Sequence, residues 1–147
     1  RQNRANLPRD TYITHPLRNA LRLIRLGCKD EDVVIACILH DTVEDEPLEM
    51  IRLEIEDFDP EGYSEEELQH LAAEVFIEPR FGGRVMDLVM AVTNPPMDEE
   101  TKRTMPKAEK QERYRQNVIE EIQGEDGVFA VKLMDLIDNA ASLHHTY

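Results

Sequence analysis

The stretch ILHDTVEDE at residues 38–46 closes an uncharged run with a histidine and four acids: Asp41, Glu44, Asp45 and Glu46. Carboxylates at the end of a buried segment are costly unless something cationic meets them. A second segment raises the same demand. Lys132, Asp135 and Asn139 fall at i, i+3 and i+7, one face of a helix, with Asp138 alongside and Val131, Leu133, Met134, Leu136 and Ile137 around them. One divalent cation facing both segments would resolve the two problems together. Neutral imidazoles and carboxylates from His15, His40, Asp41 and Asp135 are suitable ligands for it. Singly, each has an ordinary reading: a His-Asp dipeptide is common, Asp135 can pair with Lys132 on a surface, and His15 can make a plain hydrogen bond. The metal reading comes from their joint order, a His before a first helix, His-Asp ending a buried helix, and Asp in a buried last helix.

These residues need helices to carry them. Pro16 sits where a helix begins, with Leu17, Ala20, Leu21 and Ile24 at helical spacing and Gly27 past its end. Because the residue before a proline is biased away from the helical region, His15 is expected to be extended at the helix start. Asp30 is an N-cap candidate for VVIACIL, residues 33–39, which is apolar on every face and reads as a buried helix whose acidic flanks exceed strand length. From residue 44 to residue 78 the chain is strongly acidic. LEMIRLEI has weak helical patterning there, Ser64 with Glu67 forms a capping box, and one or two surface helices are expected. The segment 46–80 is read as an acidic insertion that either folds over the mouth of the site or decorates the surface, and decoration is favoured because packing alone can satisfy the apolar spacing of LEMIRLEI. Beyond a break at Pro79, Val85, Leu88, Val89 and Val92 mark an amphipathic helix stopped by Asn94, Pro95 and Pro96. Residues 97–104 read as loop, residues 106–122 as a surface helix with the narrow stripe Tyr114, Val118 and Ile122, and residues 127–143 as an apolar last helix with one polar stripe. No strand pair is convincing, so the fold class is all-α.

Composition agrees. The 147 residues suit one domain, with 33% charged, 41% hydrophobic, 5% aromatic and no Trp. A formal net charge of -14 disfavours nucleic-acid backbones and anionic membranes as partners, while a small phosphorylated nucleotide stays feasible if a metal or local bases offset the field. Cys28 and Cys37 read as two buried thiols in a reducing cytoplasm. No signal peptide or membrane-spanning run is visible, and the opening at Arg1 without Met suggests an incomplete N-terminus. His70 reads as exposed, and His144 and His145 as part of a ragged terminus.

The order of motifs resembles the HD superfamily of metal-dependent phosphohydrolases, and in detail the hydrolase domain of RelA/SpoT-type enzymes and the stand-alone small alarmone hydrolases. The similar segments are YITHPL at residues 12–17, ILHDTVED at 38–45, FGGRVMDLVMAVTN at 81–94, RYRQNV around Tyr114, and VKLMDLIDN at 131–139. The resemblance implies an HD helical bundle with one metal, usually manganese, between buried helices on His15, His40, Asp41 and Asp135. Iron, cobalt, zinc or nickel would also suit such ligands. It further implies that Glu44 and Asp45 orient and deprotonate the attacking water, against the plain alternative of a solvated helix end. Lys132 and Asn139 fall on substrate-side positions. RQNR at residues 1–4 looks like the remnant of a GQxR segment, with Arg4 as a nucleotide contact.

The implied activity is removal of the 3′-pyrophosphate from guanosine tetra- or pentaphosphate, without the synthetase half of the bifunctional enzymes. Departures thin the positive charge expected at such a site: Ala5 replaces a basic residue, the loop before Tyr12 is slightly longer, and Ala140, Ala141 and Ser142 follow Asn139 where an Arg is usual. Two other readings therefore stand beside it, a phosphatase on another nucleotide and an inactive nucleotide-binding module. The intact Glu44 and Asp45 pair argues against the latter.

Overall fold

The computed structural model describes residues 13–97, 99–123 and 125–142. Arg4, Ala5, His144 and His145 lie outside them. Among the described residues the chain is wholly helical, without a strand. The first helix, α1 (Thr14–Arg25), ends at Gly27, whose φ of 98° lies in the left-handed region that glycine adopts without strain. His15 is helical rather than extended. Pro16 occupies the first turn, where its missing N–H has no helical partner to lose, and burial of His15 against two other helices overrides the local bias before proline.

Asp30 caps α2 (Glu31–Leu39), accepting from Asp32 N at 3.1 Å and Val33 N at 3.4 Å. Its apolar faces meet α1, α7 (Gly83–Val92) and α10 (Asp126–Ser142), and α10 in turn packs on α1, α7 and α9 (Lys107–Ile122). Helices α2 and α10 are thus the central pair. Where α10 begins, Gly127 is buried so tightly that an added Cβ would stand 2.9 Å from Val33 Cγ2 and 3.0 Å from Leu88 Cδ2.

The acidic segment differs from its sequence reading. After α3 (Thr42–Asp45) it forms α4 (Pro47–Arg52), then α5 (Glu65–Ala72) with the expected capping box, then a π-helical turn (Ala73–Ile77) running into α6 (Glu78–Phe81). Met50, Ile51, Ala72, Ala73 and Ile77 are buried in the same core as Val33, Cys37, Val85 and Met134. Far from decoration, the segment supplies one wall of the core and turns its acids to solvent. Nor does Pro79 break the chain. The widened turn just upstream accommodates a residue that cannot bond to the Val75 carbonyl, and the break comes at Gly82, at φ 90°. A short α8 (Glu99–Thr104) occupies the expected loop. His70 is exposed, Cys37 is buried and Cys28 half-buried, both as free thiols. No described helix is long and apolar enough to cross a membrane.

Candidate metal centre and its cleft

Three helices deliver the ligand candidates. His15 comes from the first turn of α1, His40 from the C-cap of α2, and Asp135 from the middle of α10. One ligand atom from each lies within 4.8 Å of the others, a span that a single ion with bonds of about 2 Å bridges. His15 Nε2 is 3.1 Å from Asp135 Oδ1, and His40 Nε2 is 3.5 Å from the same oxygen. Asp41 adjoins both rings, with Oδ1 3.0 Å from His40 Nε2 and Oδ2 3.6 Å from His15 Nε2.

The other ring nitrogens are already engaged. His40 Nδ1 donates to the Cys37 carbonyl at 3.0 Å, and His15 Nδ1 donates to Asp138 Oδ2 at 2.7 Å. With the proton assigned to Nδ1 on each ring, both Nε2 lone pairs face the carboxylates. His40 Nε2 is buried and completes no hydrogen bond, despite two acidic oxygens nearby. Lone pairs aimed at acceptors call for a proton or a cation. A borderline divalent ion fits this nitrogen and oxygen donor set.

Charge tells the same story. Burial lowers the His40 pKa, but Asp135 and Asp41 beside it outweigh that and push it up to about 10. Burial raises Asp135, yet the two histidines hold its carboxyl well below the usual range. Asp138 is likewise held low against its burial by Arg18, His15 and Arg22. Burial, with Asp135 nearby, pushes the Cys37 thiol up to about 12, so it stays protonated and inert.

A cleft of about 340 Å³ opens over this group. Eight of the nine residues singled out from the sequence line it: His15, His40, Asp41, Glu44, Asp45, Lys132, Asp135 and Asn139. The ninth, Arg4, lies outside the described residues. Glu44 Oε2 accepts from Asn94 N and from Asn94 Nδ2, both at 3.0 Å. Lys132, although buried, brings Nζ to the cleft wall, 3.3 Å from the Val92 carbonyl and 6.0 Å from the centre of the Tyr114 ring. Asn139 Nδ2 donates to Asp135 Oδ1 at 2.8 Å, so it also steadies a ligand candidate.

Sequence reasoning missed Asn19, Asn94, Arg18 and Arg22. Asn19 Nδ2 lies 3.4 Å from His15 Nε2, and Arg22 donates to Asn19 Oδ1 at 3.2 Å. A signal was present for three of them: Arg18, Asn19 and Arg22 follow His15 by three, four and seven residues, on its own helical face. For Asn94 the local pattern marked only a helix stop, and its place at the end of the FGGRVMDLVMAVTN segment was the one pointer to it.

No family model matches the chain, and no solved structure does. Over 134 residues, 91% of its length, the chain is 32% identical to the guanosine-3′,5′-bis(diphosphate) 3′-pyrophosphohydrolase of Aquifex aeolicus strain VF5. It spans 15% of that relative's length. Nearly all of the described helices fall within a match of that extent, and with the buried His, His and Asp group they bear out the resemblance read from the motifs. The chain is a distant homologue of that pyrophosphohydrolase and has the helical HD-domain character that the relationship implies.

Proposed function

We propose that the cleft is the active centre of a metal-dependent phosphohydrolase that removes the 3′-pyrophosphate from a guanosine alarmone. The observation that carries this reading is the convergence of two inward-facing imidazole Nε2 atoms and the Asp135 carboxylate beneath a cleft that also holds Glu44, Asp45 and Lys132. A divalent cation bound there, manganese above all, supplies positive charge against phosphoryl oxygens and makes water easier to deprotonate. His15, His40 and Asp135 would hold it, with Asp41, whose oxygens adjoin both imidazole Nε2 atoms, as the fourth ligand.

Glu44 is the general base. Its Oε2 is fixed by the two Asn94 donors, which leaves Oε1 to take the proton from water. Asp45, next to it on the cleft wall, orients that water. The water oxygen bonds to the phosphorus on the 3′-oxygen, the P–O3′ bond breaks, and the 3′-oxygen takes a proton as pyrophosphate departs. Lys132 faces the phosphates with its ammonium, and the Tyr114 ring flanks the same wall. With a chain charge of -14, attraction of a polyanion falls mainly to the cation, Arg4 and Lys132, so substrate affinity is weak and depends steeply on added metal.

The test incubates manganese-loaded protein with ppGpp, phosphorylated nicotinamide dinucleotides and deoxynucleoside triphosphates, following pyrophosphate and orthophosphate separately. GDP with pyrophosphate from ppGpp supports the reading. Orthophosphate from another nucleotide, with ppGpp untouched, moves the chain to a different phosphohydrolase substrate.

A further inference from the structure

Behind His15, on the side away from the cleft, the Asp138 carboxylate is 2% exposed. Each of its oxygens receives two donors. Oδ2 takes His15 Nδ1 at 2.7 Å and an Arg18 terminal nitrogen at 3.0 Å, while Oδ1 takes Arg18 Nε at 3.0 Å and Arg22 at 2.6 Å. A buried carboxylate gripped on both oxygens cannot rotate, and charge-assisted bonds of this length are the strong kind. Arg18 and Arg22 lie one and two turns beyond His15 on α1, and Asp138 lies one turn beyond Asp135 on α10. The grip therefore staples the two helices at the level of two ligand candidates.

We propose that Asp138, clamped by Arg18 and Arg22, is a positioning residue that fixes the ring orientation and tautomer in which His15 meets the metal. The proposal rests on the metal reading above and concerns residues outside the cleft lining. A carboxylate can only accept, so the shared proton sits on Nδ1 and the Nε2 lone pair is left for the ion. Arg22 adds to this from the other side. By donating to Asn19 Oδ1 it turns the Asn19 NH2 group toward His15 Nε2, a weak 3.4 Å contact that marks the atom as unprotonated and that a bound ion would displace. The same clamp keeps Asp138 from swinging inward as a competing ligand beside Asp135.

The experiment measures Co²⁺ affinity by chelator competition, and the visible ligand-field spectrum of the Co²⁺-loaded protein, for wild type, Asp138→Asn and the double variant Arg18→Gln/Arg22→Gln. The asparagine keeps size but sets an NH2 group among the guanidinium donors. The double variant leaves the His15 to Asp138 bond and removes the grip. Each is expected to bind Co²⁺ about 10- to 100-fold more weakly, the usual consequence of losing such an outer partner, with an altered spectrum and an unchanged far-ultraviolet helical signal. A merely structural staple would lower thermal stability without moving the spectrum. Wild-type affinity and spectrum in Asp138→Asn overturn the proposal, and if that variant does not fold, the arginine pair decides on the same two readouts. Failure of the wild type itself to bind Co²⁺ overturns the metal reading and this proposal with it, an outcome distinct from a variant that binds normally.

Discussion

His15 Nε2 and Asp135 Oδ1 stand 3.1 Å apart across the contact between α1 and α10, and His40 Nε2 approaches the same oxygen from α2. That one oxygen is where three helices meet. Replacing Asp135 with Ala should strip the ion and abolish the stabilisation it gives. For wild type at a metal concentration a hundredfold above Kd, the gain is about 2.7 kcal/mol. Thermal melts with and without Mn²⁺ check this. An Asp135→Ala protein whose Tm still rises with Mn²⁺ would place the ion elsewhere.

Proton balance gives a second expectation. In metal-free protein the His40 pKa is raised from 6.5 to about 10, so its contribution to stability is complete below the unfolded value and is lost as pH climbs through 10. Asp135 behaves oppositely. Its contribution is present above the unfolded value of 3.8 and is lost as pH falls toward the depressed one. A metal needs the neutral imidazole, so binding near neutral pH must expel the His40 proton, and apparent affinity should rise about tenfold per pH unit until His40 is neutral. Calorimetric titration in two buffers of different ionisation enthalpy counts that proton. Binding without proton release would contradict the assignment.

Glu44 and Asn94 define a third. Changing Glu44 to Gln keeps the shape but removes the base, and hydrolysis should fall by about a hundredfold or more while metal occupancy stays intact. The Asp45→Asn change, tested beside it, should also spare the metal. Equal loss of metal and activity in either variant would make that residue a ligand instead.

Gly127 offers a test of the scaffold alone. Alanine there would gain helix propensity, yet its Cβ would press on Val33 and Leu88 inside the core at 2.9 and 3.0 Å. Overpacking should win, lowering stability by roughly 1–3 kcal/mol in a denaturant titration. A more stable Gly127→Ala protein would show that the α2, α7 and α10 junction is looser than described.

The sequence was legible where one element had one job. VVIACIL read as a buried helix, and α2 does form there with Val33, Ala36 and Cys37 in the core, though Val34, Ile35, Ile38 and Leu39 are only half-buried. Val85, Leu88, Val89 and Val92 repeat cleanly, and Ser64 with Glu67 announces a helix start, so α7 and α5 appear where expected. The ligand candidates were legible because buried acids demand an explanation. What escaped was the inner face of the acidic segment. Met50 and Ile51, then Ala72, Ala73 and Ile77, are too widely spaced and too diluted by Glu and Asp to reveal one core wall. The π-helical turn was hidden too, since Pro79 reads as a break when only one α-helical register is considered. Asn94 and the Arg18, Arg22 and Asp138 clamp join residues 50 to 120 positions apart, pairings that no local pattern encodes.

The most direct measurement is a crystal of the protein grown with Mn²⁺ and examined for anomalous scattering at the manganese edge. One strong peak is expected about 2 Å from His15 Nε2, His40 Nε2 and a carboxylate oxygen of Asp135, with Asp41 at its side. A crystal grown at saturating Mn²⁺ with no peak between those three residues, or with its peak elsewhere, would contradict the centre on which the proposed hydrolysis depends.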